Sequence, residues 1–242
     1  MKNKIFLKKK KWIILIWLLS FYTLSVKFWK GDDNNGNYWI YMIEILRWFS
    51  VWATVIAFIW SSLNLFILNN KIYINWINSY NFKIYSSVYN IMAGIVFWCG
   101  IFTYGWNDYI FERLKYPLSF SVTLLGHLVI PILLAFYSII YSDYYVINKK
   151  YYKKDFFLVL VVPSLYYLWM LVRSFYLIKY IYNGINLSKH LNYISPYWFL
   201  SWFIYGWGYW FGAILFFMII TLILTFILNI INNYYILKKN IL

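Results

Sequence analysis

"SVTLLGHLVIPILL", residues 121–134, holds one histidine, one proline and no charged residue. Extended from Pro117 to Tyr141, the run is mostly apolar for 25 residues. About 20 such residues cross the hydrocarbon of a bilayer as a helix. The apolar residues are continuous rather than alternating with period two, so the run reads as a spanning helix and not as a barrel strand. It also poses a question. His127 lies ten residues into the span, and the nearest acids in sequence are Glu112 and Asp143. A titratable ring at that depth needs a partner from another part of the chain.

The rest of the chain is of the same kind. Of its 242 residues, 64% are hydrophobic, 26% aromatic and only 12% charged. A soluble domain has about 45–50% apolar and about 25% charged residues. Six spans can be read, at about 12–29, 38–68, 85–106, 117–141, 156–178 and 199–231. The expected fold is all-α: a polytopic membrane bundle of six helices forming a single domain over 1–242. The basic, apolar start resembles a signal peptide without a small-residue cleavage site, and is read as the first span. Cys99 is the single cysteine, so no intramolecular disulfide forms. There is no Walker loop, no Rossmann glycine pattern, no GxSxG and no metal-spaced His/Cys cluster. Neither a cofactor nor a metal is expected, and nucleotide-driven transport by this chain alone is disfavoured.

The formal charge of +15 follows from topology. If the N-terminus is cytoplasmic, fourteen basic residues fall on inner segments: those within 2–11, Lys71, Lys83, those within 149–154, Lys238 and Lys239. Six fall on the outer side: Lys27, Lys30, Arg113, Lys115, Lys179 and Lys189. The positive-inside rule then places both termini in the cytoplasm. The expected partners are membrane lipids, anionic headgroups included, and other proteins of a membrane complex; nucleic acid is not among them. Heavy use of Ile, Asn, Lys and Tyr marks an AT-rich genome and points to a bacterial plasma membrane.

Smaller features carry local expectations. Tyr73, Trp76, Ile77 and Tyr80 recur at helical spacing within 69–84, which reads either as an interfacial helix or as a plain connector. Gly208 and Gly212 form a G-x-x-x-G suited to close helix packing. Pro131 and Pro163 should kink their spans. Arg173 should snorkel or meet a phosphate, and His190 belongs to an outer loop.

The second span carries a polar stripe. Arg47, Ser50, Thr54, Ala57, Ser61 and Asn64 follow one another at intervals of 3, 4, 3, 4 and 3, which puts them on one helix face. In lipid such a face turns inward, where hydroxyls find partners. Trp52 and Phe58 should lie nearer lipid, and Glu44 is the nearest partner for Arg47. At about 1.5 Å per residue, Ser50 is about 18 Å below Tyr38, and His127 about 15 Å below Pro117. A hydroxyl and an imidazole could therefore meet, Ser50 or Thr54 as nucleophile and His127 as base. Arg47 and Asn64, at the two ends of the stripe, are the candidates for contact with a substrate. The structural alternative is equally simple: the hydroxyls pack helices, and His127 bonds a nearby backbone.

Four elements, "RWFS" (47–50), "HLVIP" (127–131), "PSLYY" (163–167) and "PYWFL" (196–200), occur in an order and placement that resembles the androgen-inducible membrane hydrolases and their bacterial six-span relatives. The resemblance covers roughly residues 40–220. It implies hydrolysis of fatty-acid esters of hydroxy fatty acids, with the nucleophile at Ser50 and the histidine at His127. Ser50 stands where that family has threonine, and Ser201 where an aspartate often follows. A substrate-capture or transport subunit and a structural subunit of a membrane complex are the competing classes.

Overall fold

A computed structural model of the chain describes residues 2–29, 38–70, 80–104, 116–141, 155–182, 187, 194–195 and 197–241. Among them the regular elements are helices: α1 (Lys2–Trp29), α2 (Tyr38–Ile45), α3 (Phe49–Asn70), α4 (Tyr80–Tyr104), α5 (Pro117–Leu124), α6 (Ile130–Ile140), α7 (Val161–Tyr180), α8 (Trp202–Tyr205) and α9 (Trp207–Ile241). A π-turn, Leu125–Val129, joins α5 to α6, and a 3-10 turn, Asp155–Leu160, leads into α7. Five stretches are long and apolar enough to cross a membrane: Leu7–Trp29, Phe49–Leu68, Pro117–Ile140, Asp155–Tyr180 and Trp207–Lys238. The chain is a helical membrane protein.

The helix α4, at 25 residues, also has the length to cross. It packs against α3, the π-turn, α6 and α9, so protein rather than lipid covers much of it. Ser86, Ser87 and Asn90 are fully buried on it. Asn90 donates to Ala53 O of α3 at 3.0 Å, and Ser87 donates to Leu134 O of α6 at 3.0 Å. Polar groups in such a helix are tolerated when they bond to neighbouring helices.

The core has two parts. One, around Phe49, Val88, Met92, Tyr166 and Trp210, joins α3, α4, α7 and α9. The other, around Ile16, Trp60, Leu134 and Tyr137, joins α1, α3 and α6, with Trp60 edge-on to Tyr137 at 5.2 Å.

Three of the expected spans are interrupted. The second, read as one helix over 38–68, breaks at Leu46–Trp48. The sixth, read over 199–231, breaks at Gly206, whose φ of +85° is open only to glycine at little cost. The fourth widens into the π-turn just before Pro131. Pro131 has no N–H to return to His127 O, and its ring would crowd that carbonyl in an unbroken α-helix. Widening relieves the clash, and Ile130 N–H reaches back five residues to Leu125 O. Pro163 falls in the first turn of α7, just after the 3-10 turn, where its missing N–H costs no bond within α7. Most of the segment 69–84, including Tyr73, Trp76 and Ile77, lies outside the described residues, as does His190. Within that segment Tyr80 opens α4.

Gly208 and Gly212 meet nothing within 4 Å of a Cβ position. The close helix approach is at Gly94 instead, where a Cβ would stand 2.7 Å from His127 O.

Candidate functional site

The break between α2 and α3 leaves backbone carbonyls without helical partners, and in a membrane each must be satisfied by protein. One face of α7 does this. Tyr166, Trp169 and Arg173, spaced three and four apart, lie along one side of that helix. Tyr166 Oη donates to Arg47 O at 2.6 Å, and Trp169 Nε1 to Leu46 O at 3.1 Å. Arg173 Nε donates to Ile43 O at 3.1 Å and its Nη1 to Ile194 O at 2.6 Å. Trp52, from α3 itself, also reaches Leu46 O at 3.0 Å. This is why Trp52 is half-buried and edge-on to Tyr166 at 5.9 Å rather than turned to lipid.

Charges gather at the same place. Arg173 is 2% exposed. Arg47 and Glu44 lie within electrostatic reach of it. Arg47 is half-buried, with its guanidinium 5.0 Å from the centre of the Trp48 ring. Trp48 in turn sits edge-on to Tyr197 at 6.0 Å. Arginine is suited to such a place, since its planar fork bonds carbonyls, carboxylates and phosphates while stacking on aromatic rings.

Beside the arginines is a narrow groove with a cavity volume of about 20 Å³, room for about one water. Met92 and Val96 of α4, Tyr166 and Tyr167 of α7, and Tyr197 and Phe217 form much of its wall. Phe49 contributes as well, so the groove begins at the break. Tyr166 belongs to both features: its ring lines the groove, and its hydroxyl holds Arg47 O.

The polar stripe of α3 faces inward. Ser50 is 3% exposed, Thr54 and Ser61 are fully buried, and Asn64 is 9% exposed. Each of the last three bonds its own helix: Thr54 Oγ1 to Ser50 O at 2.7 Å, Ser61 Oγ to Ala57 O at 2.8 Å, and Asn64 Nδ2 to Trp60 O at 2.8 Å. Such back-bonding satisfies hydroxyls within a helix. Asn64 lies about 21 Å further along α3 than Ser50. Phe58 contacts the rings of Trp17 and Phe21 on α1.

The second and fourth spans do meet. The Cβ position of Gly126 is 3.9 Å from Thr54 Oγ1, and it also adjoins Thr23 and Lys27 of α1. His127, one residue on, makes contacts on another side. Its Nδ1 donates to Thr123 O at 2.8 Å, which fixes that nitrogen as the protonated one. Its ring stacks on Phe97 of α4, 3.9 Å between centres and 21° from parallel. His127 O, which Pro131 cannot serve, accepts from Trp98 Nε1 at 3.2 Å. The π-turn thus joins α3 through Gly126 and α4 through His127.

The capping face of α7 and the polar face of α4 escaped the sequence reading. For α4 a signal existed: Lys83, Ser86 or Ser87, and Asn90 recur at helical spacing. For α7 there was none, because its targets are backbone atoms of a break that the sequence does not announce.

Fold and site together describe a helical membrane protein with a broken span, one buried and one half-buried arginine at the break, and an aromatic groove beside them. Compared with family models, curated proteins and solved structures, the chain matches none.

Proposed function

We propose that this chain is a six-span membrane protein, both termini cytoplasmic, that captures a membrane lipid as one component of a larger complex. The observation that supports this best is the groove, apolar over most of its wall and joined through Tyr166 to the break that Arg173 clamps. Ligand sites of this kind are mostly apolar with few polar groups at one place. The occupant is an acyl chain, which lies against Met92, Val96, Phe217 and the tyrosine rings once these part to admit it. Residence in a bacterial plasma membrane belongs to the same proposal. A fatty acid carrying a diazirine near its methyl end should crosslink to the purified protein at these residues. Val96→Trp, which fills the groove from a partly buried position, should reduce that labelling several-fold. Labelling spread evenly over the lipid-facing surface of α9, unaffected by Val96→Trp, would refute the capture reading. A cysteine placed at Lys150 should resist membrane-impermeant maleimide in intact cells; labelling there would invert the orientation.

A second reading is favoured by one contact, that of Thr54 Oγ1 with the Gly126 position beside His127. On it the chain is an intramembrane lipid-ester hydrolase of the androgen-inducible type, with Thr54 or Ser50 as nucleophile and His127 as base. The imidazole contacts described run to Thr123 and Phe97, and for that reason this reading ranks second. A lipid phosphonate that labels the wild type but neither Ser50→Ala nor Thr54→Ala would reverse the ranking.

A further inference from the structure

The π-turn divides the fourth span into two halves that are held very differently. After the turn, α6 buries Ile130, Pro131, Leu134, Tyr137 and Ser138. Ser87 and Lys83 of α4 bond Leu134 O and Tyr141 O, and Trp60 of α3 packs edge-on to Tyr137. Before the turn, α5 buries Val122 alone of its residues, and Pro117 and Leu118 are exposed. The helix it packs against is α1. Tyr22 Oη of α1 and Ser121 Oγ of α5 are 3.4 Å apart and exposed, near the limit of a hydrogen bond. The hydroxyls of Ser121 and Thr123 bond carbonyls of α5 itself. Few buried apolar contacts and exposed polar bonds are the marks of a segment that opens at low cost.

The turn between the halves is fixed on one side and pliable on the other. Trp98 Nε1 holds His127 O, and the His127 ring stacks on Phe97, so α4 anchors the turn. Gly126, next to it, has no side chain to restrict rotation of the backbone. Pro131 keeps the turn from closing into a regular α-helix, since it brings no N–H. An anchored base, a pliable joint and a weakly packed arm are the parts of a hinge.

We infer that α5 is a gate. It pivots at the π-turn and swings away from α1, opening a cleft toward the bilayer between α1 and the fourth span. The foot of the cleft is the Gly126 position, where Thr23 and Lys27 of α1 meet Thr54 of α3. Thr54 is fully buried while the gate is closed, and opening brings lipid to it. The gate goes beyond the capture reading, whose groove is walled largely by α4, α7 and α9. It also supplies the entry that a nucleophile at Thr54 would need under the hydrolase reading.

The test is a pair of spin-label distances in the full-length protein, held in nanodiscs of neutral phospholipid, with Cys99→Ser removing the native thiol. Ile223→Cys on α9 is the reference. It is paired with Leu118→Cys on α5 in one protein and with Ile132→Cys on α6 in another; all three positions are exposed. The distance distribution from Leu118 should be at least twice as broad as that from Ile132, or split in two. Gly126→Ala stiffens the joint without a clash, because the new Cβ would lie 3.8 to 3.9 Å from its nearest neighbours, ordinary contact. In that variant the Leu118 distribution should narrow to the width of the Ile132 one. Equal widths without the alanine overturn the gate. A Leu118 distribution that stays broad in Gly126→Ala places the movement elsewhere than the turn and overturns it as well. The comparison of the two pairs with Gly126 intact decides the matter even where Gly126→Ala fails to fold.

Discussion

Gly94→Ala is the substitution for which structure and helix propensity disagree most sharply. Alanine is favoured over glycine inside a helix by about 1 kcal/mol, so propensity alone makes the change stabilising. The new Cβ would stand 2.7 Å from His127 O, where side-chain carbons essentially never come closer than 3.0 Å and ordinary contact begins at 3.4 Å. The obstacle is backbone, held by a π-turn and a proline, so no side chain can swing aside. Helix α4 and the π-turn must separate by 0.3 to 0.7 Å to reach those limits. The Trp98 bond to His127 O, already 3.2 Å, would then stretch past useful length. Overpacking of this kind costs about 1–3 kcal/mol, and loss of the bond adds about 1 kcal/mol. Against the propensity gain of about 1 kcal/mol, the net loss is about 2 kcal/mol, or a fall of roughly 4–8 °C in melting temperature for a chain of this size. Gly212→Ala provides the control, since nothing lies within 4 Å of it; it should hold or raise the melting temperature. Both variants can be melted in detergent by intrinsic tryptophan fluorescence. A Gly94→Ala protein at least as stable as Gly212→Ala would refute the reasoning.

Three further outcomes are expected. Arg173→Met should lower stability by about 3 kcal/mol, because two hydrogen bonds from a charged donor are lost and two carbonyls are stranded; Arg173→Lys should fall between, and a melting temperature for Arg173→Met within 2 °C of the wild type would remove the clamp from the account. Asn90→Leu should be milder than Asn90→Asp, because the buried Asn90 Oδ1 has no hydrogen-bond partner among the described residues and a carboxylate there would be an uncompensated charge; thermal melts showing the opposite order would count against the placement of α4. His127→Phe should stay within about 1 kcal/mol of the wild type, since the stack on Phe97 survives and a single hydrogen bond is lost; loss of phosphonate labelling in that variant, where the wild type labels, would instead favour the hydrolase reading.

The helices themselves were legible because their apolar runs exceed the bilayer thickness. The inward face of α3 was legible because small and polar residues at intervals of three and four leave no other reading. Arg173 was noticed, but its role was not, since its acceptors are carbonyls of Ile43 and Ile194 rather than side chains. The break at Leu46–Trp48 has no glycine or proline to announce it. It exists because Tyr166, Trp169 and Arg173, more than a hundred residues later, satisfy what the helix gives up. His127 was read toward α3 from depth alone. Depth places a ring along the membrane normal but says nothing of the side it faces, and the contacts found for the imidazole are with Phe97 of α4 and Thr123 of its own helix. The G-x-x-x-G at Gly208 drew attention away from Gly94, a lone glycine whose partner is a carbonyl displaced by a proline.

The polar face of α4 bears on how the protein is made. That helix leaves the ribosome after α1 and α3 but before α6 and α9, which cover its other sides. At that moment Asn90 can find Ala53 O, while the acceptor for Ser87 has yet to be synthesised. Released into lipid by itself, it would expose Ser86, Ser87 and Asn90 to hydrocarbon. It should linger at the insertion machinery, docked on α3, until Leu134 arrives, so the assembly of this bundle depends on the order of its translation.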